Sequence, residues 1–185
     1  VPYYIKFYEY ESNKSVGFIL NHAINNLIDK KSNYICKFDC DDIYTSDYLI
    51  EQISKLNKEK CLIVGKATQY WWIHGTDTIL QNNIGNENTY VQSLRGNSLF
   101  FKKCMLEKYN MKFSNVTNGE DTDFIKQCIN NKIKLFSTSC NNLFTIRYNN
   151  STWKPTYEQL YYNYKKCNDI NIYYKLFTYI NTYNY

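Results

Sequence analysis

The chain has 185 residues, 44% of them hydrophobic and 21% charged, with 6 Gly and 2 Pro. That is one domain's length with enough apolar chain for a core, and it excludes disordered, collagen-like and Pro-rich low-complexity classes. The net charge of +5 rests on 22 basic and 17 acidic residues, but only Arg95 and Arg147 are arginine and the lysines are scattered, which argues against a nucleic-acid partner.

Along the chain, residues 3–10 read as an aromatic-rich strand and residues 11–15 as a polar turn. Phe18, Ile19, Ala23, Ile24, Leu27 and Ile28 recur at helical spacing over 16–28. Residues 34–38 form a short strand that stops at Asp39-Cys40-Asp41-Asp42. Ser46 is the expected N-cap of a helix with Leu49, Ile50, Ile53 and Leu56 on one stripe. Strands are expected at 61–64, closed by Gly65, and at 68–73. Residues 74–90, with Gly75, Gly85 and five Asn or Gln, read as one long polar loop. A strand over 98–101 leads into a short helix near 103–109. Gly119-Glu120-Asp121 opens a helix whose Phe124, Ile125, Cys128 and Ile129 share a face and which Asn130-Asn131 ends. Strands follow at 133–136 and 143–148, then a helix from Pro155 to about Lys166. The Tyr- and Asn-rich segment 169–185 carries no clear pattern and is set apart as a tail to a domain spanning 1–168. Alternating strands and helices imply a layered α/β domain.

The counts of Tyr (20), Asn (25), Lys (20) and Ile (19) look like an AT-rich coding bias, so Tyr and Asn runs alone are not read as binding sites. Seven cysteines without a C-x-x-C pair argue against a zinc ribbon and for a reducing, cytoplasmic setting. No apolar run approaches the roughly 20 residues of a membrane helix. The chain opens Val1-Pro2 without Met, as a processed product or a piece of a longer protein would.

Two acidic groups stand out. Asp39, Asp41 and Asp42 crowd the carboxyl end of an apolar strand, the end that faces the ligand crevice in open α/β sheets. Paired carboxylates there suit a hard cation, Mn²⁺ or Mg²⁺, whose remaining positions take substrate phosphates. The plainer reading is a solvated acidic turn. Glu120 and Asp121 begin a helix, where acids complement the dipole. A carboxylate near a second acidic cluster also has a raised pKa and can act as general base.

Four blocks in order give a resemblance. Gly17-x-x-x-Asn21-x-x-Ile24 is followed by Tyr34-Ile35-Cys36-Lys37-Phe38-Asp39-Cys40-Asp41-Asp42-Ile43-Tyr44 and Asp47-Tyr48-Leu49. Then come Gly96-Asn97-Ser98-Leu99-Phe100-Phe101, Gly119-Glu120-Asp121-x-Asp123-Phe124, and Arg147-Tyr148 with Asn150-Ser151-Thr152-Trp153. Over residues 12–155 this resembles the central block of family 2-type GT-A glycosyltransferases. The resemblance implies a GT-A mixed-sheet fold and transfer of a hexose from a nucleotide-sugar donor, such as a UDP-sugar, to a glycan or protein hydroxyl, as in polysaccharide biosynthesis. It implies that Asp39 and Asp41 hold the divalent ion and, with Asp42 and Arg147, the donor. Asp121 would be the base of an inverting transfer and Glu120 would orient the acceptor. Gly96 lies in the acceptor half, and Trp72 and Trp153 are candidates to stack on acceptor sugar. Ser151 stands where some members carry His. The family's first βαβ half, with its nucleotide-base pocket, has no counterpart here, which implies a GT-A domain incomplete at its N-terminus.

Other readings stay open. A GT-A-like remnant could serve as a binding module without catalysis, and the Asp cluster could serve a metal-dependent phosphoesterase. Arg95 and Arg147 could pair with diphosphate oxygens or form structural ion pairs. His22 reads as a packing residue, and His74, after Trp71-Trp72, as a candidate to line the crevice.

Overall fold

A computed structural model describes Glu9, residues 13–148 and residues 164–183. The strand expected at 3–10 lies, apart from Glu9, outside the described residues, as do Trp153 and the start of the helix expected from Pro155. Among the described residues the protein is mixed α/β, with two five-stranded mixed sheets and five α-helices.

The first sheet takes β1 (Tyr34–Cys36), β7 (Phe100–Lys102), β3 (Ile63–Gly65), β8 (Leu135–Ser137) and β6 (Thr89–Val91), in that order. Only β3 and β8 run parallel. On one face Ile63, Leu99, Phe101 and Leu135 pack with Met105 of α3 (Cys104–Lys108), with Phe113, and with Phe124 and Cys128 of α4 (Glu120–Asn130); Leu20 and Ile24 of α1 (Val16–Asn26) pack on the same cluster. The other face packs Val64, Phe100 and Phe136 against Leu56 of α2 (Tyr48–Lys58). The short strands are apolar on both faces because both are covered.

The second sheet takes β10 (Tyr164–Lys166), β5 (Ile79–Asn82), β4 (Tyr70–Ile73), β9 (Leu143–Arg147) and β2 (Ile43–Tyr44). Its core joins Tyr70, Trp72, Ile79, Phe144 and Ile146 to Ile172 and Leu176 of α5 (Ile170–Tyr183).

Four expectations are corrected. The loop at 74–90 contains β5 and the start of β6, because Ile79 and Leu80 are buried against β4. Residues 164–166 extend the sheet as β10 beside β5 rather than closing a helix. The supposed tail folds as α5, whose Ile172 and Leu176 complete a core that no local pattern announces.

The fourth correction concerns α2. Ser46 is not its cap; the helix begins at Tyr48, with Asp47 making no side-chain cap bond. Its buried residues are Tyr48, Gln52 and Leu56, while Leu49, Ile50 and Ile53 of the expected stripe face outward. The cause is polar. Lys66, after β3, is fully buried, and its ammonium is met by Glu51 of α2 at 3.2 Å and by the Ser139 carbonyl at 2.7 Å. Glu51 also accepts from the Ser139 amide and the Asn142 side chain. Leaving that ammonium without its carboxylate would cost about 3–5 kcal/mol, of the same order as the burial that the partly exposed Leu49, Ile50 and Ile53 forgo.

Chain reversals rely on few glycines. Gly119 opens α4 at φ +88°, but Lys60, Asn83, Asn88, Asn110, Lys132 and Asn142 also take left-handed φ between 46° and 71°.

Candidate active site

The carboxyl end of β1 is fixed from below. Cys36 pairs with Phe100, and the Lys37 amide reaches the Leu99 carbonyl at 2.9 Å, one step past the strand. The chain then turns, with the Asp42 amide bonding back to the Asp39 carbonyl at 3.3 Å. Asp41 is exposed and Asp39 half-buried. Asp42 turns inward. Its carboxylate accepts from the Ile146 amide at 3.0 Å and, in a very short bond, from the Asn97 side-chain amide. Burial pushes the Asp42 carboxyl up to about 6, against the opposing pull of those two donors.

Asn97 joins the halves of the site. Its amide also donates to Thr145 at 2.9 Å, and its carbonyl accepts from Gln69 at 2.6 Å. Its backbone carbonyl accepts from the Tyr44 hydroxyl at 2.7 Å, and that hydroxyl in turn accepts from the Asp39 amide at 3.0 Å. The Tyr44 ring is set by edge contacts with Phe38 and Tyr48 at 4.4 and 4.9 Å.

The neighbouring Gly96 is where the second acidic group arrives. A Cβ there would overlap the Asp121 carboxylate, so only glycine admits this approach. Asp121 stands in the first turn of α4, which opens behind the left-handed Gly119, and its other oxygen accepts from the Thr122 amide at 2.6 Å. Glu120 is buried beside it. Burial raises the Glu120 carboxyl, as do the charges of Asp121 and Asp39, while Lys37 opposes them. Residues 39–42 and 120–121, about eighty positions apart, thus form one electrostatic neighbourhood.

Arg147, at the end of β9, lies over the Trp71 ring at 3.8 Å. Burial lowers its pKa, and the charges of Asp42 and Asp41 oppose that shift. The structure therefore brings Asp39, Asp41, Asp42, Gly96, Glu120, Asp121 and Arg147 together. It does not bring Trp72. That ring is 6% exposed, packs in the second core, and donates its indole N–H to the Thr76 carbonyl at 2.8 Å. Strand alternation places Trp71, not Trp72, on the side of Arg147. His74 packs between Trp72 and Tyr148, at 5.3 and 4.6 Å, and His22 lies against Phe18.

Sequence reasoning missed Lys37, Tyr44 and Asn97 as site residues, although all three stand inside the acidic and glycine-led blocks. Lys37 holds Asp39 Oδ1 at 2.6 Å. Asp39 and Asp41 offer the oxygen donors that a hard cation takes, and one or two carboxylates completed by substrate phosphates are a common magnesium arrangement. Among the described residues no group of three or more His, Cys, Asp or Glu is arranged to hold an ion by itself. Two cavities of about 400 Å³ open elsewhere, one by Lys30, Tyr34, Lys102 and Cys104 and one by Tyr90, Ile129 and Ile133, and neither touches the acidic groups. No protein-family model matches the chain, and no curated protein matches it significantly.

Proposed function

We propose that this chain is the metal and acceptor part of an inverting glycosyltransferase of GT-A type, moving a hexose from a nucleotide-diphosphate sugar to a glycan or protein hydroxyl. The observation that supports this reading is the approach of Asp121 to Gly96, next to the asparagine that holds Asp42. Transfer needs two acidic centres, one facing the leaving diphosphate and one facing the incoming hydroxyl, and the turn at 39–42 and the first turn of α4 offer two that approach the neighbouring Asn97 and Gly96.

Asp121 is half-buried and tethered by the Thr122 amide, as a positioned base must be. It takes the proton of the acceptor hydroxyl as that oxygen bonds to the anomeric carbon and the bond to the diphosphate oxygen breaks. Glu120 orients the acceptor, and Arg147, steadied on Trp71, faces the donor's negative charge. Asp39 and Asp41 would hold Mn²⁺ or Mg²⁺, which supplies neutralisation of charge growing on the leaving diphosphate.

The test is Mn²⁺-dependent hydrolysis and transfer with a panel of UDP-hexoses. Asp121→Ala should lower the rate by about 10²-fold or more, the usual contribution of a general base. Asp39→Ala should abolish the response to Mn²⁺. A rate unchanged by either substitution removes that residue from the site.

A further inference from the structure

We propose that Lys37 is a built-in counter-ion of the acidic turn, holding Asp39 at rest so that a divalent cation enters only in competition with its ammonium. This rests on the metal-binding reading of Asp39 and Asp41 given above and assigns a residue that reading does not contain. Lys37 is a positioning residue, since it acts through Asp39.

The geometry is specific. Lys37 Nζ lies 2.6 Å from Asp39 Oδ1, with side-chain exposures of 11% and 38%. An ammonium so far out of water needs a partner, and Asp39 is the carboxylate in salt-bridge contact with it. The backbone fixes the pair just past β1: the Lys37 amide is tied to the Leu99 carbonyl and the Asp39 amide to the Tyr44 hydroxyl. Glu120 feels the same ammonium, so Lys37 also offsets charge where the second acidic group arrives.

Two consequences follow from charge alone. With Lys37 in place the negative charge of the turn is partly neutralised by the chain itself. An arriving cation must displace an ammonium already bonded to one of its two ligands, and a cation that brings a diphosphate with it recovers that loss because the freed ammonium gains a phosphate partner.

The experiment titrates Mn²⁺ alone into the chain and follows the loss of free-ion EPR signal, with no turnover involved. Lys37→Met keeps the aliphatic stem and removes the charge. It should bind Mn²⁺ on the order of tenfold more tightly than the parent chain, as expected for removing a partly buried unit charge beside the ligand. Lys37→Arg restores the competitor and should return the affinity to the parental value. Asp39→Asn should bind weakly whatever occupies position 37, and far-UV circular dichroism confirms that each variant is folded. Equal Mn²⁺ affinity in the parent and Lys37→Met chains overturns the assignment while leaving the metal site standing. No Mn²⁺ binding by any chain at millimolar concentration removes the metal site and the role of Lys37 with it.

Discussion

Asp42 shows how one side chain can tie a site to pH. Its ordinary carboxyl value of 3.8 rises to about 6 because burial penalises the anion more than the Asn97 and Ile146 donors favour it. The folded chain therefore holds this proton more tightly than the unfolded chain does. The stability that Asp42 contributes is complete below the unfolded value of 3.8 and is lost as pH rises through about 6. Urea midpoints measured across that window should fall with rising pH, and Asp42→Asn should flatten the fall. A variant with the parental slope would place the pH dependence elsewhere. Asp123 contrasts with it: its exposed pair with Lys126 at 3.1 Å lowers its carboxyl pKa, and water screens the pair so that little stability rides on it.

At the level of elements, α2 separates what a pattern can fix from what it cannot. The apolar spacing of Leu49, Ile50, Ile53 and Leu56 announced a helix of about the right extent. Its rotation was decided by Lys66, fifteen residues away and fully buried, and by Glu51, which reads in the sequence as one more surface acid. Ile50 is left 68% exposed as a result. Glu51→Gln should cost about 3 kcal/mol or more in chemical denaturation, because it strands a buried ammonium. A loss under about 1 kcal/mol would mean the pair behaves as an exposed one. The same distinction explains the site. The acidic turn and the Gly119 helix start were legible because they are local signals: a strand ending in carboxylates, and a glycine before a run of acids. Trp72 and Trp71 could not be told apart without knowing which face of β4 meets α5. Asn97 could not be singled out among 25 asparagines, since its importance lies in partners at positions 42, 69 and 145.

Across the whole molecule, those partners join the two sheets. Asn97 precedes β7 of the first sheet, while Thr145 sits on β9 of the second, and Gln69 just before β4 bonds to both side chains. A buried polar chain of this kind is stable only when every member is present. The sheets should therefore unfold as one unit, with coincident urea transitions by far-UV circular dichroism and by the fluorescence of tryptophans that include Trp71 and Trp72 of the second sheet. Asn97→Ala should lower both midpoints together, with a loss of about 1–3 kcal/mol of unfolding free energy for the groups left unsatisfied. Two separate transitions would show that the bridge carries no cooperativity.

The left-handed turn at Asn142 gives the skewed composition a use. Its φ is +71°, a conformation where glycine costs less backbone strain. Glycine, however, would leave the turn mute. Asn142 accepts from Thr45 at 3.0 Å and from Lys175 at 2.7 Å, and donates to Glu51 at 3.0 Å, so a single reversal grips the entry to α2, the ion pair beneath it and the last helix. In a chain with 6 glycines and 25 asparagines, a shortage of the freest residue is answered by one that can turn the backbone and hold its neighbours at once, so the bias read at first as background supplies part of the fastening.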